Sequence, residues 1–163
     1  MTTMTLYGEP GWGSAIVEAQ LAWLGLAHDY VKTGDLLGSE EARARLVAVN
    51  PIAQVPTLVL ADGRVLTESA AITLHLADLT GCDDLVPAPN DATRPAFLRW
   101  LVYLVANIYP TFTYGDVPSR FVTVEAAQQP FRAALDAYEE RLWGHVEAAA
   151  VGPWFLGDRF SAL

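Results

Sequence analysis

Residues 4–7 form a short run of strand-forming side chains, and Gly8-Glu9-Pro10-Gly11-Trp12-Gly13 follows as a turn rich in backbone-permissive residues. Ser14 then opens a helix. Val17, Leu21 and Leu24 recur in it at helical spacing, and Gly25 stands where a C-terminal cap belongs. Residues 29–32 read as a second strand through the β propensity of Tyr30 and Val31, and the strand–helix–strand order predicts a parallel pair with a crossover helix. A second helix begins at Ser39, with Glu40 and Glu41 in its first turn and Arg43 and Arg45 later, as the helix dipole favours; Asn50-Pro51 stops it. Residues 57–60 and 65–67 flank Ala61-Asp62-Gly63-Arg64, and Asp-Gly between two apolar runs predicts a hairpin. A third helix runs from Ser69 to about Leu79, its apolar residues being Ile72, Leu76 and Leu79, and Gly81 closes it.

This β-α-β, α, β-hairpin, α order is that of a thioredoxin-like layer. The pattern changes after residue 81: residues 82–92, with Pro87 and Pro89, read as a linker, and everything beyond is helix or loop. A helix over residues 93–108 is apolar nearly all round at residues 100–105, which predicts burial, and Pro110 ends it. A loop carrying Phe112, Tyr114, Pro118 and Phe121 leads to a long helix over residues 124–149, with Pro130 near its start. Residues 154–163 look like the entry to one more helix, with Ser161 as N-cap and Phe160 as the preceding staple residue. The expected layout is therefore a thioredoxin-like α/β domain over 1–81, a linker over 82–92, and an all-α domain over 93–163 that is cut short.

Composition narrows the function classes. Of 163 residues, 52% are apolar and 18% charged, a ratio that provides a core and leaves apolar surface for a partner subunit or for further chain. The net charge of −9 argues against nucleic acid and anionic membranes, whose phosphates need clustered Lys and Arg. A small anion remains compatible, because a helix N-terminus can hold one inside an acidic protein. Cys82 is the only cysteine, so there is no intrachain disulfide, no CxxC pair and no cysteine-based zinc site, and no other metal constellation is present. Residues 1–7 lack the features of a signal peptide, and residues 100–106 fall far short of the roughly 18 apolar residues a membrane span needs, so a cytoplasmic location is expected.

Three places could carry chemistry. Ser14, at the start of the first helix, could donate a hydrogen bond to a bound thiolate and lower its pKa; the plainer reading is an N-cap. The segment entering the next strand is bracketed by Pro51 and Pro56, and it could present the Val55 backbone to a peptide-like ligand if the Val55-Pro56 bond is cis; most such bonds are trans. Ser69 caps the third helix, whose N–H groups could take a carboxylate while Glu68 accepts from an ammonium group; a simple capping motif is the alternative. All three lie on successive loops of one sheet.

Residues 4–79 resemble the N-terminal domain of the glutathione S-transferase family, closest in look to bacterial beta-like members. The stretches that carry the likeness are Leu6-Tyr7-Gly8-Glu9-Pro10-Gly11-Trp12-Gly13-Ser14, Asn50-Pro51 with Gln54-Val55-Pro56-Thr57-Leu58, and Leu66-Thr67-Glu68-Ser69-Ala70-Ala71-Ile72. Arg99-Trp100-Leu101 and Phe155-Leu156-Gly157-Asp158-Arg159-Phe160-Ser161 extend it loosely through the helical part. The resemblance implies a cis Pro56, pairing of the Val55 backbone with the cysteinyl part of glutathione, Glu68 and Ser69 at its γ-glutamyl end, and Gln54 toward its glycyl carboxylate. Gly13 stands where beta-class enzymes have cysteine and Gly8 where others have tyrosine, which leaves Ser14 as the implied catalytic residue. Tyr109 stands in place of the beta-class histidine. Tyr109, Trp12 and Phe112 are candidates to line an electrophile pocket, with core or dimer packing the alternative for Phe112 and anchoring of the loop for Trp12. Glutathione as cosubstrate, a small electrophile, detoxification by conjugation and a homodimer follow from the same likeness. The alternative is a non-catalytic glutathione-binding or protein-interaction module. A glutaredoxin-like reductase would need a cysteine on the first-helix loop, and none exists.

Overall fold

The computed structural model describes residues 3–163; Met1 and Thr2, part of the segment read as lacking a signal, lie outside them. The chain divides into two compact units, one running through Val86 with Ala162, the other Pro87–Ser161 with Leu163.

The first unit holds β1 (Met4–Gly8), α1 (Ala15–Trp23), β2 (His28–Lys32), α2 (Glu40–Val47), β3 (Thr57–Val59), β4 (Val65–Thr67) and α3 (Ser69–Thr80). Its sheet runs β2-β1-β3-β4, with β1 parallel to β2 and antiparallel to β3, and β3 antiparallel to β4. The parallel pair and the hairpin match the sequence pattern. Alternation along β1 buries Met4, Leu6 and Gly8. Met4 and Leu6 meet Val17 and Leu21 of α1, Leu58 and Leu60, and Ile72 and Leu76 of α3. A smaller cluster of Leu36, Ala42 and Leu46, built on α2, takes Tyr7, Trp12 and Val55. Helix ends follow their signals: Ser39 Oγ accepts from Ala42 N–H at the start of α2, and Gly25 and Gly81 have positive φ at the ends of α1 and α3.

The second unit holds α4 (Arg94–Tyr103), α5 (Tyr109–Gly115) and α6 (Glu125–Ala149), with a single 3₁₀ turn at Pro118–Arg120. Asp91 starts α4: its Oδ1 accepts from Thr93 N–H at 2.7 Å and from the Thr93 hydroxyl at 2.6 Å. The Thr93 hydroxyl and N–H hold the Asp91 carboxyl below the usual aspartate value, aided by Arg159. Two expectations need correcting here. Pro110 does not end the helix before it. Leu104–Ile108 widens into a π turn, in which Tyr109 N–H reaches Leu104 O, and helix resumes through α5 with Pro110 in its first turn. A first-turn proline needs no hydrogen-bond partner for its nitrogen, so the chain continues where a loop was expected. Burial at residues 100–105 is one-sided: Trp100 and Leu101 are buried, while Val102 is 55% exposed. At residues 154–163, where the start of a helix was expected, the Leu163 N–H donates to Ser161 Oγ as at a cap, and Trp154 bridges to Gly157. No helix among the described residues is long and apolar enough to cross a membrane.

Candidate functional site

Register places the three candidate loops at one end of the sheet. Tyr7 of β1 pairs with Thr57 of β3, and Thr57 pairs with Thr67 of β4. The loop leaving β1, the segment entering β3 and the loop leaving β4 therefore start from one row of residues.

The β1–α1 loop is closed by Ser14. Its side chain is fully buried, and Ser14 Oγ accepts from the Glu9 N–H at 3.1 Å and donates to the Glu9 carbonyl at 3.2 Å. That carbonyl also accepts from Trp12 N–H at 3.0 Å. Ser14 makes no capping bond to α1, so its hydroxyl is spent on the loop and not on the helix end. Among the described residues, no hydrogen bond engages the N–H of Gly13 or of Ser14. Gly8 admits no side chain, because a Cβ there would lie 2.6 Å from Ser14 Oγ and 2.8 Å from Tyr30 Oη. The space that a side chain at this position would need is thus taken by the hydroxyls of Ser14 and Tyr30. Trp12 is half-buried, packed on the α2 cluster beside Tyr7 and Val55.

The segment entering β3 is held by buried polar groups that sequence reading passed over. Asn50, only 3% exposed, donates through Nδ2 to the Gln54 carbonyl at 3.0 Å and to Thr57 Oγ1 at 2.9 Å, and its Oδ1 accepts from Ile52 N–H at 3.1 Å. The fully buried Thr57 hydroxyl donates to the Gln54 carbonyl at 2.7 Å. Ala53 turns through φ +53°, a conformation that non-glycine residues rarely adopt. After this turn Val55–Pro56 is cis, as the resemblance implied. No hydrogen bond among the described residues takes the Val55 N–H or carbonyl, and the Gln54 side chain is exposed. The signal for Asn50 was present in the Asn-Pro dipeptide, but it read only as a helix stop.

At the third loop the boundary differs from expectation. Ser69 is the first residue of α3 and not its cap; Glu68 holds the cap position with φ +65° and makes no capping bond. Backbone in that region costs about 1–3 kcal/mol for a residue with a Cβ, and such strain concentrates at ligand-binding sites. Glu68 is exposed and Ser69 half-buried, and no hydrogen bond to the Ser69 hydroxyl appears among the described residues. Behind the loops, α1 and α3 are tied by Thr73 Oγ1 donating to Gln20 Oε1 at 3.0 Å, both residues being buried. In the second unit, Tyr109 and Phe112 are exposed on α5, and His75 is half-buried in α3 of the first. No group of metal-binding side chains occurs among the described residues.

Residues 14–79 match the family described as glutathione S-transferase, N-terminal domain. The chain is 42% identical over 160 residues to the "uncharacterized GST-like protein YncG" of Escherichia coli K12, covering 97% of this chain and 76% of that one. It is 36% identical to glutathione S-transferase GstA of Escherichia coli O157:H7, over 70% of this chain and 54% of that protein. Among solved structures, a glutathione transferase homologue from Sulfitobacter with bound glutathione superposes with a TM-score of 0.86 at 27% identity, covering 99% of this chain and 77% of its own. A glutathione transferase from Methylococcus capsulatus gives 0.76 at 31% identity, covering 98% and 76%.

Proposed function

The chain belongs to the glutathione S-transferase family, and from that premise we propose that it binds glutathione and conjugates its thiolate to a small apolar electrophile. The observation that carries the reading is the set of unused polar groups at one end of the sheet. The Val55 N–H and carbonyl are the pair an added extended peptide uses, and they suit the cysteinyl unit of glutathione. Glu68 and the Ser69 hydroxyl, at the start of α3, suit the ammonium and carboxylate of the γ-glutamyl end, with Gln54 toward the glycyl carboxylate. A bound thiol at the β1–α1 loop would meet the unbonded N–H groups of Gly13 and Ser14, in the positive field of the α1 N-terminus. Such a field favours the thiolate; each pKa unit gained corresponds to about 1.4 kcal/mol. The thiol proton passes to solvent, the sulfur then attacks the electrophilic carbon, a C–S bond forms, and the leaving group departs with its electron pair. Most of the acceleration would come from thiolate fraction and positioning. A cytoplasmic location and a homodimer belong to the same reading; the exposed Val102, Phe112 and Tyr114 of the helical unit favour a partner subunit.

One observation favours a second reading. The Ser14 hydroxyl is buried and engaged in both directions, and Gly13 offers no side chain, so neither residue directs a side-chain group at a thiol. A module that holds glutathione without turnover would have this appearance. Calorimetric titration of glutathione into the chain, followed by a conjugation assay on the same sample, decides between them. Binding with turnover establishes the transferase, binding without turnover the module, and absence of binding removes both.

A further inference from the structure

We propose that Glu9 is the positioning residue of the thiolate loop, acting through its carboxylate on the β2–α2 junction and through its peptide group on Ser14. The proposal rests on the glutathione reading above and names a residue that reading does not use. Glu9 sits in the turn between β1 and α1 and is the one residue there bonded on every polar group. Its N–H and carbonyl are both taken by Ser14 Oγ, and the carbonyl also takes the Trp12 N–H. Its carboxylate crosses to the end of β2, where Oε2 accepts from Gly34 N–H at 2.8 Å and Oε1 lies 3.3 Å from Lys32 Nζ. Just before it, the Gly8 carbonyl accepts from Thr33 N–H at 2.9 Å and from the Thr33 hydroxyl at 3.2 Å.

The two carboxylate contacts are unequal. Lys32 is 65% exposed, so its ion pair is screened by water and contributes little. The Glu9 side chain is only 16% exposed, and its bond to Gly34 N–H is short and charge-assisted. The Gly34 bond therefore anchors the loop. Glu9 does not point a charge at the thiol: it orients the Gly13 and Ser14 N–H groups by fixing the peptide to which Ser14 is stapled. A negative charge acting through space would oppose a thiolate, so the two roles predict opposite signs.

Two conservative variants separate reach from charge. Glu9→Asp keeps the charge and is one methylene short of Gly34; Glu9→Gln loses the charge and keeps an oxygen that reaches it. The ultraviolet thiolate band of bound glutathione is followed against pH in wild type and both variants, beside glutathione Kd and far-ultraviolet circular dichroism. Glu9→Asp is expected to raise the pKa of the bound thiol by about one unit, so that about tenfold less thiolate is present at a given pH below it. Its Kd should stay within about threefold of wild type, because Val55, Glu68 and Ser69 are untouched. Glu9→Gln should titrate close to wild type. An unshifted Glu9→Asp, or a Glu9→Gln changed as much as Glu9→Asp or shifted downward by loss of charge, overturns the proposal while glutathione binding stands. A wild-type chain that binds no glutathione overturns the functional reading, and the proposal falls with it.

Discussion

The two units handle polarity in opposite ways. In the first, four of the buried polar side chains gather at the loops of one sheet end: Ser14, Thr33, Asn50 and Thr57 are each at most 6% exposed and each holds backbone that leaves regular structure, while Gln20 and Thr73 pair between α1 and α3. In the second, buried polar side chains are few, and the large side chains meet ring to edge, Trp100 with Tyr103 and Phe155, and Tyr114 with Phe121. Much apolar surface there stays exposed, Val102, Val124, Val151 and Trp154 among it. The first pattern suits a unit that must hold irregular backbone still for a ligand, since a buried hydrogen bond is directional and expensive to leave unmade. The second suits a unit whose helices satisfy their own backbone and need only apolar contact, which tolerates sliding and substitution.

This contrast can be broken at several points. Asn50→Ala removes three bonds from a buried network, and we expect a loss of about 2–4 kcal/mol in urea denaturation; a loss under about 1 kcal/mol would mean that the loop is held by packing alone. Tyr30→Phe tests the same unit in the other direction. Among the described residues the buried Tyr30 hydroxyl has no hydrogen-bond partner, so its removal should stabilise the chain by about 1 kcal/mol. A destabilised variant would show that the hydroxyl is bonded in solution. Val102→Asp probes the helical unit, where the site is 55% exposed on α4; stability should change by no more than about 0.5 kcal/mol at low protein concentration. A larger loss that grows with protein concentration would show that a second copy covers this face.

Legibility differed between the units for the same reason. Strands and helices of the first unit were readable to within a residue or two, because their caps and turns are local chemistry: Ser39, Gly25, Asp62-Gly63 and Gly81 act on neighbours in the chain. The cis Val55–Pro56 bond was also legible, through the likeness carried by the residues around it. What the Ser14 hydroxyl touches was not, because its partner is fixed only when the loop folds back on Glu9. Glu9 itself read as a turn residue, since its carboxylate acts on Gly34, 25 positions away. In the helical unit Pro110 misled, because a proline stops a helix only where the preceding turn stays regular, and a π turn over Leu104–Ile108 is not announced by any residue type.

By itself, then, the sequence determined the order and type of the elements in the first unit, the likeness to a glutathione-binding family, and the absence of a cysteine on the first-helix loop. These depend on spacing and on residue chemistry, which survive without knowledge of the fold. Tertiary structure alone decided that Ser14 is stapled to Glu9, that Glu68 and not Ser69 occupies the cap with positive φ, that Asn50 and Thr57 hold the segment before β3, and that helix resumes after Pro110. Each of these depends on which groups meet across the fold, and a buried polar group takes whichever partner the packing brings within about 3 Å.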